Sequence, residues 1–529
     1  MTAARRNAFD ALLHSGALFP GSRREEFPGE VRLWPASIAD RPRAASALRA
    51  EGCRYAAVFA EDRTAEESSF LLFDVLDHPG DSRYLVLVWR IPADSPSFPA
   101  ISAQAPAVNW MEREIQDWFG LEAAGHPNPR RVALHDHWPD VHPLRRDFPL
   151  ETELPLFEGP QHVYRPTIGE GVFYIPVGPV HAGIIEPGHF NFAVAGEPVI
   201  YLQLRMYYTH KGTEKIFERL PWRHGVFLAE SVSGDSGFAH ALAFCQAAEK
   251  IAGAEIPPHA LFGRVILLEL ERLYNHVADI GAIATDVGFV IANSHATRLR
   301  ESLLRLNEEV SGSRLLRGLA CPGGLRRPLE RTAVDAALER LEDFRRDFEE
   351  VVRLIESSDS TLDRLDQTGV LHPQKARDLG IVGVAGRASG QDLDVRRDHP
   401  FAAYGSLSFE VPVFEQGDVL RRMRVRIEEA RQSLGLIRAA AAELPEGPCR
   451  TPVPELQPDA GALAAVEGWR GEILYWVRAG SDGRLKRCKV KDPSLNNWPA
   501  LVEAIQGNII PDFPVINKSF NLSYSGTDR

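Results

Sequence analysis

The sequence contains no Cys-x-x-Cys pair. Its five cysteines, Cys53, Cys245, Cys321, Cys449 and Cys488, are scattered, and the nearest two, Cys449 and Cys488, stand 39 positions apart. Thiolate-bound zinc and iron–sulfur centres usually take a ligand pair from one turn of chain, because that turn then aims two sulfurs at one ion. Without such a pair the cysteines read as isolated buried thiols. Their odd number, with no secretion signal, speaks against a disulfide framework.

Long apolar runs are also missing. Val265-Ile266-Leu267-Leu268 is cut by Glu269 and Glu271, far short of the ~20 residues that cross a bilayer. Met1 to Phe19 holds Asp10 and His14 within its apolar stretch, unlike the uniform core of a signal peptide. A cytoplasmic chain with no membrane span of its own is expected. Positive charge is not gathered anywhere: the formal net charge is -12, which gives no footprint for a phosphate backbone and excludes nucleic acid as the expected partner. Pro322-Gly323-Gly324 and Gly383-Val384-Ala385-Gly386 lack the G-x-G-x-x-G spacing of a dinucleotide loop.

What is present is an average globular composition, 44% hydrophobic and 25% charged, over 529 residues, a length that suggests about two to four domains. The expected fold class is α+β: a small α/β domain over 1–150, a linker over 151–168, and a large helix-bundle domain with small β elements over 169–529. Period-2 apolar patterns predict strands at Val31–Trp34, Tyr55–Phe59, Phe70–Leu76 and Tyr84–Ile91, with helices at Ile38–Ala50 and Asn109–Phe119. The loop Gly125–Pro149 is too long and too rich in His, Pro and Arg for a plain connector. Prolines 155, 160 and 166 mark the boundary. A hairpin follows, Phe190–Ala195 with Val199–Met206, then helices from Thr213 to Ser357, a helix Val419–Leu444, and strands at Glu472–Val477 and Leu485–Val490.

Three stretches carry a resemblance. Trp110 to Gly120 (WMEREIQDWFG), Gly125-His126-Pro127 and His142 to Pro149 (HPLRRDFP) resemble the 30-kDa-type subunit of respiratory NADH:quinone oxidoreductase. Gly178 to Phe190 (GPVHAGIIEPGHF) and His210 to Lys215 (HKGTEK) resemble the 49-kDa-type subunit and, more closely, the large subunit of energy-converting (group 4) nickel–iron hydrogenases. Leu268 to Gly281 (LELERLYNHVADIG) is similar to the formate hydrogenlyase large subunit, a family that also fuses both modules in one chain.

The resemblance implies a subunit of a membrane-associated oxidoreductase complex. Its partners would be an iron–sulfur small subunit, which carries the cluster, and antiporter-like membrane subunits, with this chain peripheral to the inner face of the cell membrane. Any nucleotide would be handled by other subunits. Members active on hydrogen grip a nickel–iron centre with two Cys-x-x-Cys pairs; here Ser233 and Ser236 stand at the first pair, and Ser523 and Gly526 at the second. Hydroxyls are poor, hard donors and glycine offers none, so no nickel–iron centre is expected and no cofactor is assigned to this chain. Such hydrogenase precursors are trimmed after a terminal His or Arg, and the sequence stops at Arg529, which fits the same expectation.

The vacated space is the counterpart of the quinone cavity of respiratory complexes, which makes a quinone the candidate ligand. The quinone-holding tyrosine of those complexes falls at Glu230, and the histidine loop is replaced by a run with His181 and His189. Glu186 lies where family hydrogenases place a proton-passing glutamate. Glu186, Asp235 and His240 are therefore candidates to line the cavity and carry protons, the other reading being ordinary turn and hydrogen-bonding roles. Arg272, His276 and Asp279 share a helix face, as an internal polar network or a proton route. Arg396, Arg397, Asp398 and His399 line the same interface or are solvated loop charges. Three functions follow in order: a subunit framing a metal-free redox cavity coupled to ion movement, a non-catalytic structural or coupling subunit, and a working nickel–iron hydrogenase.

Overall fold

The computed structural model describes residues 8–14, 19, 21–148, 151, 153–158, 162, 164–181 and 185–529. The expected linker falls partly outside these residues. The first unit is a five-stranded sheet of β1 (Arg23–Phe27), β2 (Glu30–Trp34), β3 (Arg54–Arg63), β4 (Ser69–Asp77) and β5 (Tyr84–Pro92), ordered β1-β2-β5-β4-β3. Only β2 and β5 run parallel; α1 (Arg41–Ala50) enters the long connection after β2. Every residue of β4 is buried, and its alternation serves two cores. Phe70, Leu72 and Leu76 point to the side of α1 and α2 (Asn109–Phe119), where Met111, Ile115, Trp118 and Phe119 follow the helical spacing. Leu71, Phe73 and Val75 point the other way and pack on Leu463, Ala465, Leu474 and Trp476 of the second unit. Phe73 and Trp476 lie 4.9 Å apart between ring centres.

The decorated loop binds α2 to its surroundings. Asp117 accepts the backbone N–H groups of Val132, Ala133 and Leu134, and Arg145 donates to the carbonyl of Phe119 at 2.7 Å. Next comes a three-stranded antiparallel sheet, β6 (Val172–Val177), β7 (His189–Ala195) and β8 (Val199–Arg205), in the order β8-β7-β6. The hairpin was expected from the pattern; β6 was not.

The helical body contains α3 (Gly237–Ala252), α4 (Pro258–Asp286), α5 (Val290–Ser311), α6 (Arg331–Glu356) and α7 (Val419–Ala442), with α4 packed along α5 and α7. A last antiparallel sheet, β9 (Gly461–Gly468), β10 (Gly471–Ala479) and β11 (Leu485–Lys491), is followed by α8 (Pro493–Ala504) and α9 (Phe513–Phe520). This sheet is sandwiched between α3 and the first unit, so the two units share one continuous interior. No helix among the described residues is long and apolar enough to cross a membrane.

Candidate functional site

A cavity of about 870 Å³ opens where four separate segments converge. One wall is the turn before α3, with Ser233, Gly234 and Asp235; a second is α9 and its continuation through Asn521 to Ser525. Ile185 and Glu186 flank a third, and Asp286 at the end of α4 a fourth. Arg470 arrives from the tip of the β9–β10 hairpin. Gly468 pairs with Gly471 across a two-residue turn, and Gly471 adopts φ +135°, a conformation that costs a side-chain-bearing residue heavily. The turn's two residues both reach Asp235: the Trp469 indole N–H donates to its backbone carbonyl at 3.0 Å, and both terminal nitrogens of Arg470 grip its carboxylate. Arg470 Nε donates to the Asn521 carbonyl, joining the first wall to the second.

The serines meet at the cavity floor. Ser233 Oγ and Ser523 Oγ are 2.8 Å apart, Ser233 also donates to Asp235 at 3.0 Å, and Ser523 accepts the N–H of Gly526 at 2.9 Å. Ser236 donates to Asp235 at 3.3 Å. Burial raises the Asp235 carboxyl, but the Arg470 guanidinium and these hydroxyls outweigh it and hold the group below the usual carboxylate range. The upper lining is apolar: Val177, Ile185, Phe190, Phe513, Leu522 and Tyr524.

The expected site residues divide. Glu186, Asp235 and His181 line the cavity together. Glu186 is exposed and accepts the Ser525 N–H at 2.9 Å; His181 packs edge-on against Phe190, and burial lowers its pKa. His240 lies behind the floor, fully buried, with Nε2 3.0 Å from Asp492 and Nδ1 3.0 Å from the Tyr475 hydroxyl. Glu230 caps elsewhere: it accepts the Gly318 N–H at 2.7 Å, and burial raises its carboxyl. His189 sits on β7 beside the Tyr164 hydroxyl, 2.6 Å away. Arg396, on the other side of the helical body, pairs with Asp394 and Glu269, while Arg397 pairs with Asp392 and Asp398. Sequence reasoning missed Arg470, Asp286, Lys518 and Asp492. The one local signal was Gly468-Trp469-Arg470-Gly471, a tight-turn pattern that brings a cation between two glycines.

The sequence profile of the respiratory-chain NADH dehydrogenase 30 Kd subunit matches residues 37–154, and that of the 49 Kd subunit matches 286–464 and 456–529. Formate hydrogenlyase subunit 5 of Escherichia coli K12 is 33% identical over 478 residues, 89% of this chain and 84% of that protein. The chain belongs to this family. Hydrogenase-4 component G of the same organism is 34% identical over 89% of this chain and 83% of its own length. Among solved structures, a chain of the membrane-bound sulfane sulfur reductase, described as an archaeal respiratory membrane complex, matches with a TM-score of 0.63 and 26% identity, covering 69% of this chain and all of that one.

The nickel–iron centre that the resemblance brings into question does not fit the residues at the floor. At two of the four positions where the resemblance places ligands, Ser233 and Ser523, the hydroxyls are turned on each other, and that of Ser233 also on Asp235. At a third, a Cβ placed on Gly526 would lie 2.7 Å from the Asp492 carboxylate and 2.9 Å from Ser523 Oγ. The space of that ligand is filled by the carboxylate that holds His240. Arg470, aimed at the floor, places a guanidinium there as well.

Proposed function

We propose that this chain is a subunit of a membrane-associated respiratory oxidoreductase and that its cavity, rather than a metal, is the place where an electron carrier is processed beside an iron–sulfur partner subunit. The observation that carries this reading is the cavity of about 870 Å³ lined by Ser233 and Ser523, two of the positions where the resemblance places metal ligands, together with polar and apolar side chains. That shape suits a flat ring with a polar head, such as a quinone: Phe190, Phe513 and Tyr524 offer aromatic surface, while Glu186, Asp286 and Lys518 bring charges to the wall. Antiporter-like membrane subunits would hold the complex on the inner face of the membrane and use the released energy to move ions. Redox turnover of the purified complex with quinones, formate and other carriers tests the reading, together with photo-labelling by a quinone azide. Labelled peptides should map to 177–190 and 513–525, and the absence of turnover with every carrier would overturn it.

A second reading has its own support. The Arg470, Asp235, Ser233 and Ser523 donors and acceptors satisfy one another, as they would in a floor serving only to brace two walls. Glu186→Gln separates the two: loss of turnover with intact assembly supports the first, and unchanged turnover the second.

A further inference from the structure

Between α4, α7 and β9, away from the cavity, lies a cluster of charges that are almost wholly out of water. Its cations are Arg272, Arg387 and Arg396, and its anions Glu269, Asp394, Glu429 and Glu467, none with a side chain more than 2% exposed. Four carboxylates face three guanidiniums, with His276 as the remaining titratable member. A buried cluster with an uncompensated charge is expensive, and taking up one proton restores neutrality.

The hydrogen bonds decide where that proton sits. Glu269 receives Arg272, Arg396, the Tyr404 hydroxyl and Ser433, at 3.2, 3.0, 2.5 and 2.6 Å. Asp394 is gripped by Arg396 through Nε, Nη2 and the backbone N–H. Glu429 takes Arg387 Nε at 2.8 Å, with Arg387 Nη2 at 2.7 Å, and His276 Nε2 at 2.8 Å. Each of these is built to stay ionised. Glu467 has the fewest donors: Arg387 Nη1 at 2.8 Å and the Val395 N–H at 3.1 Å. His276 Nδ1 has no hydrogen-bond partner, which fits a neutral ring whose one proton is given to Glu429.

We infer that Glu467 stores one exchangeable proton in the resting protein, with His276 neutral beside it. Burial pushes the Glu467 carboxyl up, with Asp394 adding to the effect, to about 7, and burial lowers His276. The neighbouring charges balance themselves. Arg426 pairs with Asp279 at 2.9 Å, Arg397 with Asp398, and Arg54 and Lys491 with Asp77 and Glu472. Glu271, on α4, turns instead to the start of α3. A crevice of about 10 Å³, room for one water, touches Glu467 and Asp394 from the side of Asp398 and His399 and gives the proton a way in. On the other side Asp279, one turn from His276, holds Asn521 of the cavity wall at 2.6 Å, so the store stands between solvent and the proposed redox cavity. Its use in turnover rests on the function proposed above; its existence does not.

The test is a thermal-unfolding series against pH on the full chain, with Glu467→Gln and His276→Asn. A carboxyl raised in the folded state contributes stability that is complete below its unfolded value and is lost as pH rises through the folded value. Between about pH 5 and 7 the stability of the wild type should therefore fall with pH relative to that of Glu467→Gln, with a difference in slope of about one proton. Glu271 titrates in both proteins and cancels. His276→Asn should make the loss steeper below about pH 6.5, because a ring that is neutral when folded and protonated when unfolded contributes a slope of the opposite sign. Infrared difference spectra, wild type minus Glu467→Gln, supply a second readout, a protonated-carboxyl band that disappears over the same range and to which Glu271, present in both proteins, does not contribute. Equal slopes in wild type and Glu467→Gln, a loss made shallower by His276→Asn, or the absence of such a difference band would each overturn the inference.

Discussion

Gly526 stands in a space too tight for a side chain. Placing sulfur there by Gly526→Cys would drive Cβ to 2.7 Å from the Asp492 carboxylate, which is itself committed to His240. The expected cost is about 1–3 kcal/mol, read as a lowered denaturation midpoint, and the variant that also carries cysteines at 233, 236 and 523 should bind no nickel stoichiometrically by elemental analysis. The two serines at 233 and 523 could be placed from the sequence through the family motifs. Their contact could not, because Ser233 and Ser523 lie 290 positions apart and only the fold brings them together. Asp492 and Arg470 were equally hidden: each is one charge in an ordinary stretch, given meaning by a partner more than 200 positions away.

At the scale of elements, α3 depends on a carboxylate from its neighbour. Glu271 of α4 accepts the N–H groups of Phe238 and Ala239 at 2.8 and 3.1 Å, satisfying donors that the first turn of a helix leaves unpaired. Glu271→Ala should cost roughly 2–5 kcal/mol in denaturant unfolding, since two buried N–H groups lose their acceptor. Burial pushes this carboxyl up to about 8 in spite of those bonds. Its stabilising contribution is thus complete below about pH 4 and is lost as pH rises through about 8, a slope that Glu271→Gln should remove in a pH series of unfolding midpoints. Elements with their own periodicity were legible in the sequence, such as α2 and the alternating β4. Those that rely on neighbours were not. β1 is Arg-Arg-Glu-Glu-Phe, an edge strand formed only by pairing with β2, and β9 is rich in Ala and Gly because it lies pressed between α3 and the first unit.

For the whole molecule, the family motifs turn out to hold the two units together. Glu114 of α2 contacts Arg529, the Tyr207 hydroxyl and Lys489; Glu214 of the His-Lys-Gly-Thr-Glu-Lys motif takes Arg529, Arg487 and Lys489. Removing one partner leaves a buried charge without its counter-ion. Glu114→Ala should therefore cost about 3–5 kcal/mol, measured by thermal unfolding. The two-sided burial of β4 and β5 has a further consequence. Leu71, Phe73, Val75, Val86 and Val88 would form a bare greasy plate on a separate first unit. Tethering both units on one chain turns their meeting into an intramolecular event, so the plate is covered without waiting for a collision between two gene products.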